Sequence, residues 1–142
     1  MAADVFIALP SLLGLRPGMR VCVQGAPEGF AEAFAPLPPG VELVPSARSG
    51  LDLTIFFTRS KVELVEKLPA LARGMAVTGR VWVCFPAEVD GERCPTEDFV
   101  RFAALETGLT DDKHLLLGPR WAGLRLLWKP RTPRLEKPQA TA

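Results

Sequence analysis

LDLTIFFT, at residues 51–58, is the stretch of sequence that decides the fold. Apolar side chains fill nearly every position of it, whereas a strand with one face in water alternates between apolar and polar residues. A short continuous apolar run is typical of a parallel strand whose two faces are both covered. Residues 51–58 are therefore predicted to form a central strand of a parallel sheet.

Strand and helix signals precede this central strand. Residues 20–24 and 41–44 are predicted strands, and a short helix ending near Ala35 should lie between them. Gly25 and Pro27 punctuate the end of the first strand, as expected where a strand turns into a helix. The N-terminal part of the chain therefore predicts a β-α-β unit.

A second set of signals follows the central strand. Ser60 and Glu63 have the spacing of a capping box, and the helix that they start should be interrupted or kinked near Pro69. Residues 80–85 form the next predicted strand, and a helix runs from about residue 96 to Gly108. This part of the chain predicts another β-α unit, with Gly79 ahead of its strand.

The last two predicted strands differ from the others in how they are connected. Residues 113–117 and 124–128 are joined by only six residues, which is too short for a helical crossover, so these strands should pair antiparallel. Right-handed crossovers then predict an α/β, Rossmann-like three-layer sandwich, with the hairpin extending one edge of the sheet. We expect one domain over residues 1–129 and a proline-rich flexible tail over residues 130–142.

Composition narrows the classes of protein. The 142 residues are 48% hydrophobic and 23% charged, as in an ordinary globular domain, and 17 basic against 16 acidic residues leave a net charge of +1. No overall field favours nucleic acid or an anionic membrane, and no apolar run is long enough to span a bilayer. With no secretory signal and three widely spaced cysteines, a cytoplasmic protein without a disulfide framework is expected.

Several segments resemble known families. Residues 15–21, LRPGMRV, look like the lead-in to the first strand of class I S-adenosylmethionine-dependent methyltransferases, although one α/β repeat between the second and third strands is missing. A closer resemblance, over about residues 13–129, is to a family of short bacterial proteins of unknown function. It is carried by the segments PGMRV (17–21), APEG (26–29), TED (96–98) and WAGL (121–124). The resemblance implies a methyltransferase-like fold and no particular activity. Together with the crossover rule, it gives the expected strand order 2-1-3-4-6-5.

Two positions depart from the methyltransferase pattern. The glycine-rich turn of those enzymes is replaced by Ala26 and Pro27, which add bulk and remove an amide donor. The acidic residue that ends their second strand is replaced by Pro45, and Glu42 lies inside the strand instead. No cofactor is therefore expected, and S-adenosylmethionine or a nucleotide is the disfavoured alternative.

The best candidate site is the carboxyl edge of the sheet, where open α/β sheets place their clefts. Gly25, Ala26, Glu28 and Gly29 would lie there together with Arg59, and helix N-terminal amides beside Arg59 would suit a phosphate or carboxylate. The alternative is a tight turn with Glu28 as a helix cap.

A second candidate is the terminal hairpin. Arg120, Trp121 and Arg125 combine an aromatic ring with guanidinium groups, which would stack a base or anchor a protein partner, and the alternative is a packing tryptophan. The unpaired edge of the hairpin would also allow a homodimer.

Metal and nucleic acid are not expected as partners. The acidic residues near the fourth strand suit turns and a helix start rather than a cation site. The cysteines lack the close spacing of zinc ligands: Cys22 and Cys84 are expected in the core, and Cys94 is the expected surface thiol. The basic residues of the tail are sparse and interrupted by prolines. These acidic and basic residues, with the single histidine, are Glu88, Asp90, Glu92, Glu97, Asp98, His114, Lys129, Arg131, Arg134 and Lys137.

Few side chains suit acid-base catalysis, because the chain has no tyrosine and one histidine. The sequence therefore favours a non-catalytic Rossmann-like binding or interaction module. The alternative is an enzyme or sensor that binds a nucleotide-like, S-adenosyl or other anionic ligand at the carboxyl edge of the sheet.

Overall fold

A computed structural model describes residues 9–45, 50–88 and 92–130. Helices and strands follow one another over these residues, and the described part ends in a hairpin. The elements are α1 Leu9–Leu12, β1 Arg20–Gln24, α2 Phe30–Ala33, β2 Glu42–Leu43, β3 Leu51–Phe57, α3 Lys61–Arg73, β4 Met75–Pro86, α4 Glu97–Thr107, β5 Leu109–Leu116 and β6 Trp121–Trp128.

The six strands form one sheet in the order β2-β1-β3-β4-β6-β5, as predicted. β1, β2, β3 and β4 are parallel, and β6 pairs antiparallel with both β4 and β5. β3 is central, and its residues are buried except for the half-buried Asp52. The continuous apolar run of residues 51–58 is thus explained by coverage on both faces.

Two apolar layers sandwich the sheet. One face carries α3 and α4, whose buried side chains include Leu68 and Val100. The other face carries α1 and α2, with Leu9 and Phe30 among the buried residues. Trp82 is fully buried on this second face, and its Nε1 donates to the carbonyl of Leu13, 3.1 Å away. The result is the three-layer α/β sandwich.

The start of β4 differs from the prediction. The strand begins at Met75 rather than at residue 80, because Met75 pairs with Leu51 before the register shifts and Leu53 pairs with Arg80. Gly79 lies inside the strand, where a Cβ would stand 2.6 Å from the Leu51 carbonyl oxygen. The irregular pairing hides the strand period in the sequence, which explains the late predicted start.

Other boundaries were also displaced. β5 begins at Leu109 and not at residue 113, since a register shift between Asp111 and Lys113 interrupts its alternation. β6 begins at Trp121 rather than at residue 124. α3 continues through Pro69 to Arg73, so the proline does not end the helix. The helix α1 was not predicted.

All three cysteines are buried thiols, and the expectation that Cys94 would be a surface thiol is wrong. Its loop packs against the start of α3, where Lys61 N donates to the Arg93 carbonyl oxygen at 2.8 Å. None of the helices in the described ranges is long and apolar enough to cross a membrane. Residues 131–142 of the predicted tail, with Arg131, lie outside the described residues, as does Asp90.

Candidate functional site

A cleft of about 510 Å³ opens at the carboxyl ends of β1 and β3. The helices that follow these two strands lie on opposite faces of the sheet, which makes this point a topological switch point, where α/β sheets bind ligands. The cleft is the predicted location of the site. Its lining residues are Gly25, Pro27, Phe57, Thr58, Arg59, Ser60, Glu63, Arg93 and Trp121.

Gly25 forms the floor of the cleft at the end of β1. Its φ is +73°, and a Cβ on this residue would lie 2.6 Å from the carbonyl oxygen of Phe57 on the neighbouring strand. Both the left-handed conformation and the close approach require glycine. The glycine is therefore explained by packing between β1 and β3, as the tight-turn interpretation holds.

The start of α3 forms one wall. Ser60 Oγ accepts from the amide of Glu63 at 3.1 Å, as in the predicted capping box. The Glu63 carboxylate does not reach back to Ser60, because it is bound 2.5 Å from Thr58 Oγ1, and that hydroxyl oxygen also accepts from Ser60 N. With Lys61 N bound to the Arg93 carbonyl, the first amides of the helix are largely satisfied by the protein itself.

An arginine and a tryptophan form the opposite wall. The guanidinium carbon of Arg59 lies 4.9 Å from the centroid of the Trp121 ring, within cation-π distance. The indole is buried and contacts the Phe57 ring edge-on, with 5.1 Å between centroids. Trp121 is thus a packing residue, and the guanidinium group of Arg59 lies over the face of its ring.

Two cationic side chains border this cleft. Arg59 and Arg93 are both exposed, and within the described part of the chain neither guanidinium group makes a hydrogen bond or an ion pair. Among the described residues that line the cleft, the only carboxylate is Glu63, which is engaged by Thr58 and lies 3.5 Å from Lys67 Nζ. The mouth of the cleft is therefore positively charged, which suits an anion.

The predicted cleft residues are only partly brought together. Gly25 and Arg59 line the cleft, whereas Ala26 and Glu28 are exposed beside it. Gly29 is the N-cap of α2, with φ +95°, so the capping position is held by a residue that has no side chain. α2 is a single turn.

The hairpin residues are not brought together. Arg120 is exposed at the turn and Trp121 is buried in the cleft wall. Arg125 lies four residues along β6, roughly 13 Å away, where its guanidinium pairs with Asp112 at 2.8 Å. Arg93, in contrast, was not predicted as a site residue, because it belongs to a loop whose docking on α3 leaves no periodic signal.

Groups for acid-base or metal chemistry are scarce around the cleft. His114 is on β5, where its Nε2 lies 3.5 Å from Glu97 Oε1. Burial raises the pKa of the Cys84 thiol, which disfavours its reactive thiolate. Among residues 9–45, 50–88 and 92–130, no three His, Cys, Asp or Glu side chains are grouped as a metal site would need.

Comparison with solved structures shows what the fold is similar to. The chain superposes on the pyocyanin biosynthetic protein PhzM with a TM-score of 0.66 and 15% identity, covering 85% of this chain and 53% of that one. For the O-methyltransferase NcsB1 of neocarzinostatin biosynthesis, solved with S-adenosylmethionine, the TM-score is 0.61 and the identity 12%, over 79% and 49% of the two chains. A possible exported protein from Bordetella parapertussis gives 0.61 and 14%, over 82% and 63%. The fold is methyltransferase-like.

These similarities show the fold alone, since every identity is at most 15%. The chain spans about half to two thirds of the length of these three proteins. No protein-family model matches it, and no curated protein does either. The resemblance to the family of short bacterial proteins therefore stays a prediction.

The cleft residues do not fit S-adenosylmethionine well. β2 ends at Leu43 and is followed by Val44 and Pro45, and residues 44–50 of the sequence contain no acidic residue to accept from ribose hydroxyls. Glu42 lies at the other end of the strand, 3.8 Å from Arg20 Nε. Arg59 and Arg93 would also repel a cationic sulfonium group.

Proposed function

We propose that this protein is a non-catalytic binding module that takes a small, anionic, nucleotide-like molecule into the cleft at the carboxyl edge of its sheet. The observation that carries the proposal is the pair of exposed arginines, Arg59 and Arg93, at the switch point of the fold. Guanidinium groups are well suited to phosphate because they donate paired hydrogen bonds.

The contact between Arg59 and Trp121 also favours recognition of a planar group. One face of its guanidinium rests on Trp121, which limits the conformations of the side chain and leaves the other face available for stacking. A nucleotide-like molecule carries both a planar base and a phosphate. The volume of about 510 Å³ lies within the range of small-molecule sites.

The absence of catalysis is proposed because the described lining offers no free general base. Glu63 is held by Thr58, and the hydroxyl of Ser60 caps α3. A nucleophile or base in an active site needs a positioned partner and an accessible lone pair. The alternative, an enzyme of methyltransferase type, would be supported by measurable methyl transfer from S-adenosylmethionine.

Isothermal titration of the purified protein with AMP, adenosine and S-adenosylhomocysteine tests the proposal. We expect binding of AMP, weaker binding of adenosine, and about tenfold weaker AMP binding for Arg93→Gln. Arg73→Gln, an exposed arginine at the end of α3, is the matched control and should bind like the wild type. Tighter binding of S-adenosylhomocysteine than of AMP would overturn the proposal.

Two further expectations are proposed with this function. A homodimer would form through the free edge of β5, where Leu116 is exposed, although the register shift at Asp111 works against continuous pairing.

A cytoplasmic location is supported by the three unpaired cysteines. Cell fractionation tests that location, which matters because one structural neighbour is named as a possible exported protein.

A further inference from the structure

A second pocket lies at the opposite end of the sheet, at the amino ends of the parallel strands. It has a volume of about 320 Å³ and lies beneath the turn that joins α1 to β1. The turn is anchored by the buried Trp82, whose indole Nε1 donates to the Leu13 carbonyl. The lining residues are Leu13, Gly14, Arg16, Met19, Asp52, Leu53, Thr78, Arg80 and Arg125.

Three guanidinium groups from three segments converge on this pocket. Arg16 comes from the turn before β1, Arg80 from β4 and Arg125 from β6. Arg80 and Arg125 point to the face of the sheet that carries Trp82, because β-strand side chains alternate. Side chains that are distant in sequence are thus assembled by the fold into one cationic site.

The hydrogen bonds of these arginines leave donors unused. Arg125 uses Nε and Nη2 on the two oxygens of Asp112, at 2.9 and 2.8 Å, and its Nη1 has no partner in the described ranges. Arg80 uses Nη1 on the carbonyls of Thr78 and Gly79. Arg16 is exposed and makes no hydrogen bond or ion pair with any described residue.

Asp112 fixes two of the three cations in place. It binds Arg125 side-on, and its Oδ2 lies 3.8 Å from Arg80 Nε. A guanidinium held in this way loses less side-chain entropy when it binds a ligand. The one lining carboxylate, Asp52, already accepts from the backbone amide of Arg20 at 2.9 Å.

We propose that this pocket, lined by Arg16, Arg80 and Arg125, binds the phosphoryl group of a small phosphate monoester. Three donors arriving from different directions match the three terminal oxygens of a phosphoryl group, whereas a planar carboxylate presents two oxygens to one or two guanidinium groups. Asp52 would accept from a hydroxyl of the same ligand. This site is independent of the carboxyl-edge cleft.

Titration with ribose 5-phosphate tests the inference on the full chain. Arg16→Gln should weaken binding about tenfold, since it removes a charge-assisted hydrogen bond. The substitution should leave the fold intact, because the Arg16 side chain is exposed and makes no hydrogen bond or ion pair with a described residue. Arg73→Gln, an exposed arginine at the end of α3 that lines neither pocket, is the matched control and should leave this binding unchanged. Arg59→Gln reports separately on binding in the carboxyl-edge cleft.

The outcomes distinguish binding in this pocket from binding in the carboxyl-edge cleft. They also distinguish recognition of a phosphoryl group from recognition of other anions. Amide chemical shifts that move at Gly14 and Leu53 on addition of ribose 5-phosphate would support the inference. Shifts confined to Gly25, loss of binding in Arg59→Gln alone, or no binding at millimolar concentration would overturn it. Citrate that binds as tightly, with the same dependence on Arg16, would overturn the choice of a phosphoryl group.

Discussion

Arg59 lies over the face of Trp121, with 4.9 Å between the guanidinium carbon and the ring centroid, at the edge of the carboxyl-edge cleft. The contact links an exposed cation to a buried ring that packs on Phe57. It joins the terminal hairpin to the loop after β3, two segments that are far apart in sequence. Arg59 is therefore held in place by the ring, with no carboxylate partner among residues 9–45, 50–88 and 92–130.

Arg59→Gln should separate binding from stability. We expect about tenfold weaker AMP binding, because a positioned charge-assisted donor is lost. The free energy of unfolding should change by no more than about 1 kcal/mol, the size of an exposed cation-π contact. Titration calorimetry and urea unfolding measure the two effects. Equal AMP binding by variant and wild type would contradict the proposed function.

Gly25→Ala should destabilise the fold strongly. The new Cβ would meet the Phe57 carbonyl oxygen at 2.6 Å, in addition to the strain of a left-handed φ. Gly18→Ala is the matched control, since Gly18 has φ +81° and nothing within 4 Å of a Cβ. We expect a loss of about 1–2 kcal/mol for Gly18→Ala and more than about 3 kcal/mol for Gly25→Ala in urea unfolding. Equal losses would show that the close approach is unimportant.

The N-cap of α3 predicts that two substitutions of Ser60 differ in their effect on the free energy of unfolding. Ser60→Ala should lower the free energy of unfolding by about 1 kcal/mol, because the Glu63 amide loses its acceptor. Ser60→Gly should cost only a few tenths of a kcal/mol, about as glycine does at other N-caps. Chemical unfolding of both variants measures the difference. A larger loss for glycine than for alanine would contradict the capping role.

The ion pair between Asp112 and Arg125 predicts that the stability of the fold depends on pH. Hydrogen bonds from Arg125, with the nearby charges of Arg80 and Lys113, hold the pKa of Asp112 below its ordinary value. The ionised carboxylate therefore stabilises the fold above the unfolded-state pKa of about 4, and this contribution is lost as the pH falls through the lower folded-state pKa.

Asp112→Asn tests this dependence. The variant should be less stable than the wild type at neutral pH, by about 1 kcal/mol for a partly exposed pair, and the gap should narrow as the pH falls below about 4. Urea unfolding at several pH values measures it. In an Arg125→Gln background, the substitution should have a smaller effect. A gap that stays constant down to low pH would rule out this assignment.

The proposed homodimer through the free edge of β5 is tested by a charge on that edge. Leu116→Lys places a charge on this edge and should convert a homodimer to a monomer, measured by light scattering at several concentrations. Leu116 is a better probe than Trp121, which is buried, so that its truncation would disturb the core. Val77→Lys, on an exposed residue of β4, is the control. A wild type that is monomeric at all concentrations would remove the proposal.

The α/β class could be predicted from local patterns, whereas the strand order also depended on the resemblance to methyltransferases. The apolar run at residues 51–58 requires a central parallel strand, and the short connection before β6 requires antiparallel pairing. The boundaries were less predictable, since register shifts at residues 51–53 and 111–113 break the two-residue period. Irregular pairing depends on the partner strand, which a local pattern does not contain.

The candidate site was predictable only in part. Gly25 and Arg59 follow strands that end at the same edge, so their proximity follows from topology. Arg93 reaches the cleft because its carbonyl accepts from the first amide of α3, a contact between a loop and a helix with no periodic signature. Trp121 begins β6 and Arg125 lies four residues further along it, so the extended chain keeps these two residues apart although they are close in sequence.

Position 25 also bears on how variation in this protein should be interpreted. Because the backbone of β1 touches the Phe57 carbonyl there, a survey of tolerated substitutions would find only glycine at this position, with or without a bound molecule. Intolerance at Gly25 would thus report on the sheet. Selection for a ligand would be visible instead at Arg59 and Arg93, whose guanidinium groups contribute little to packing.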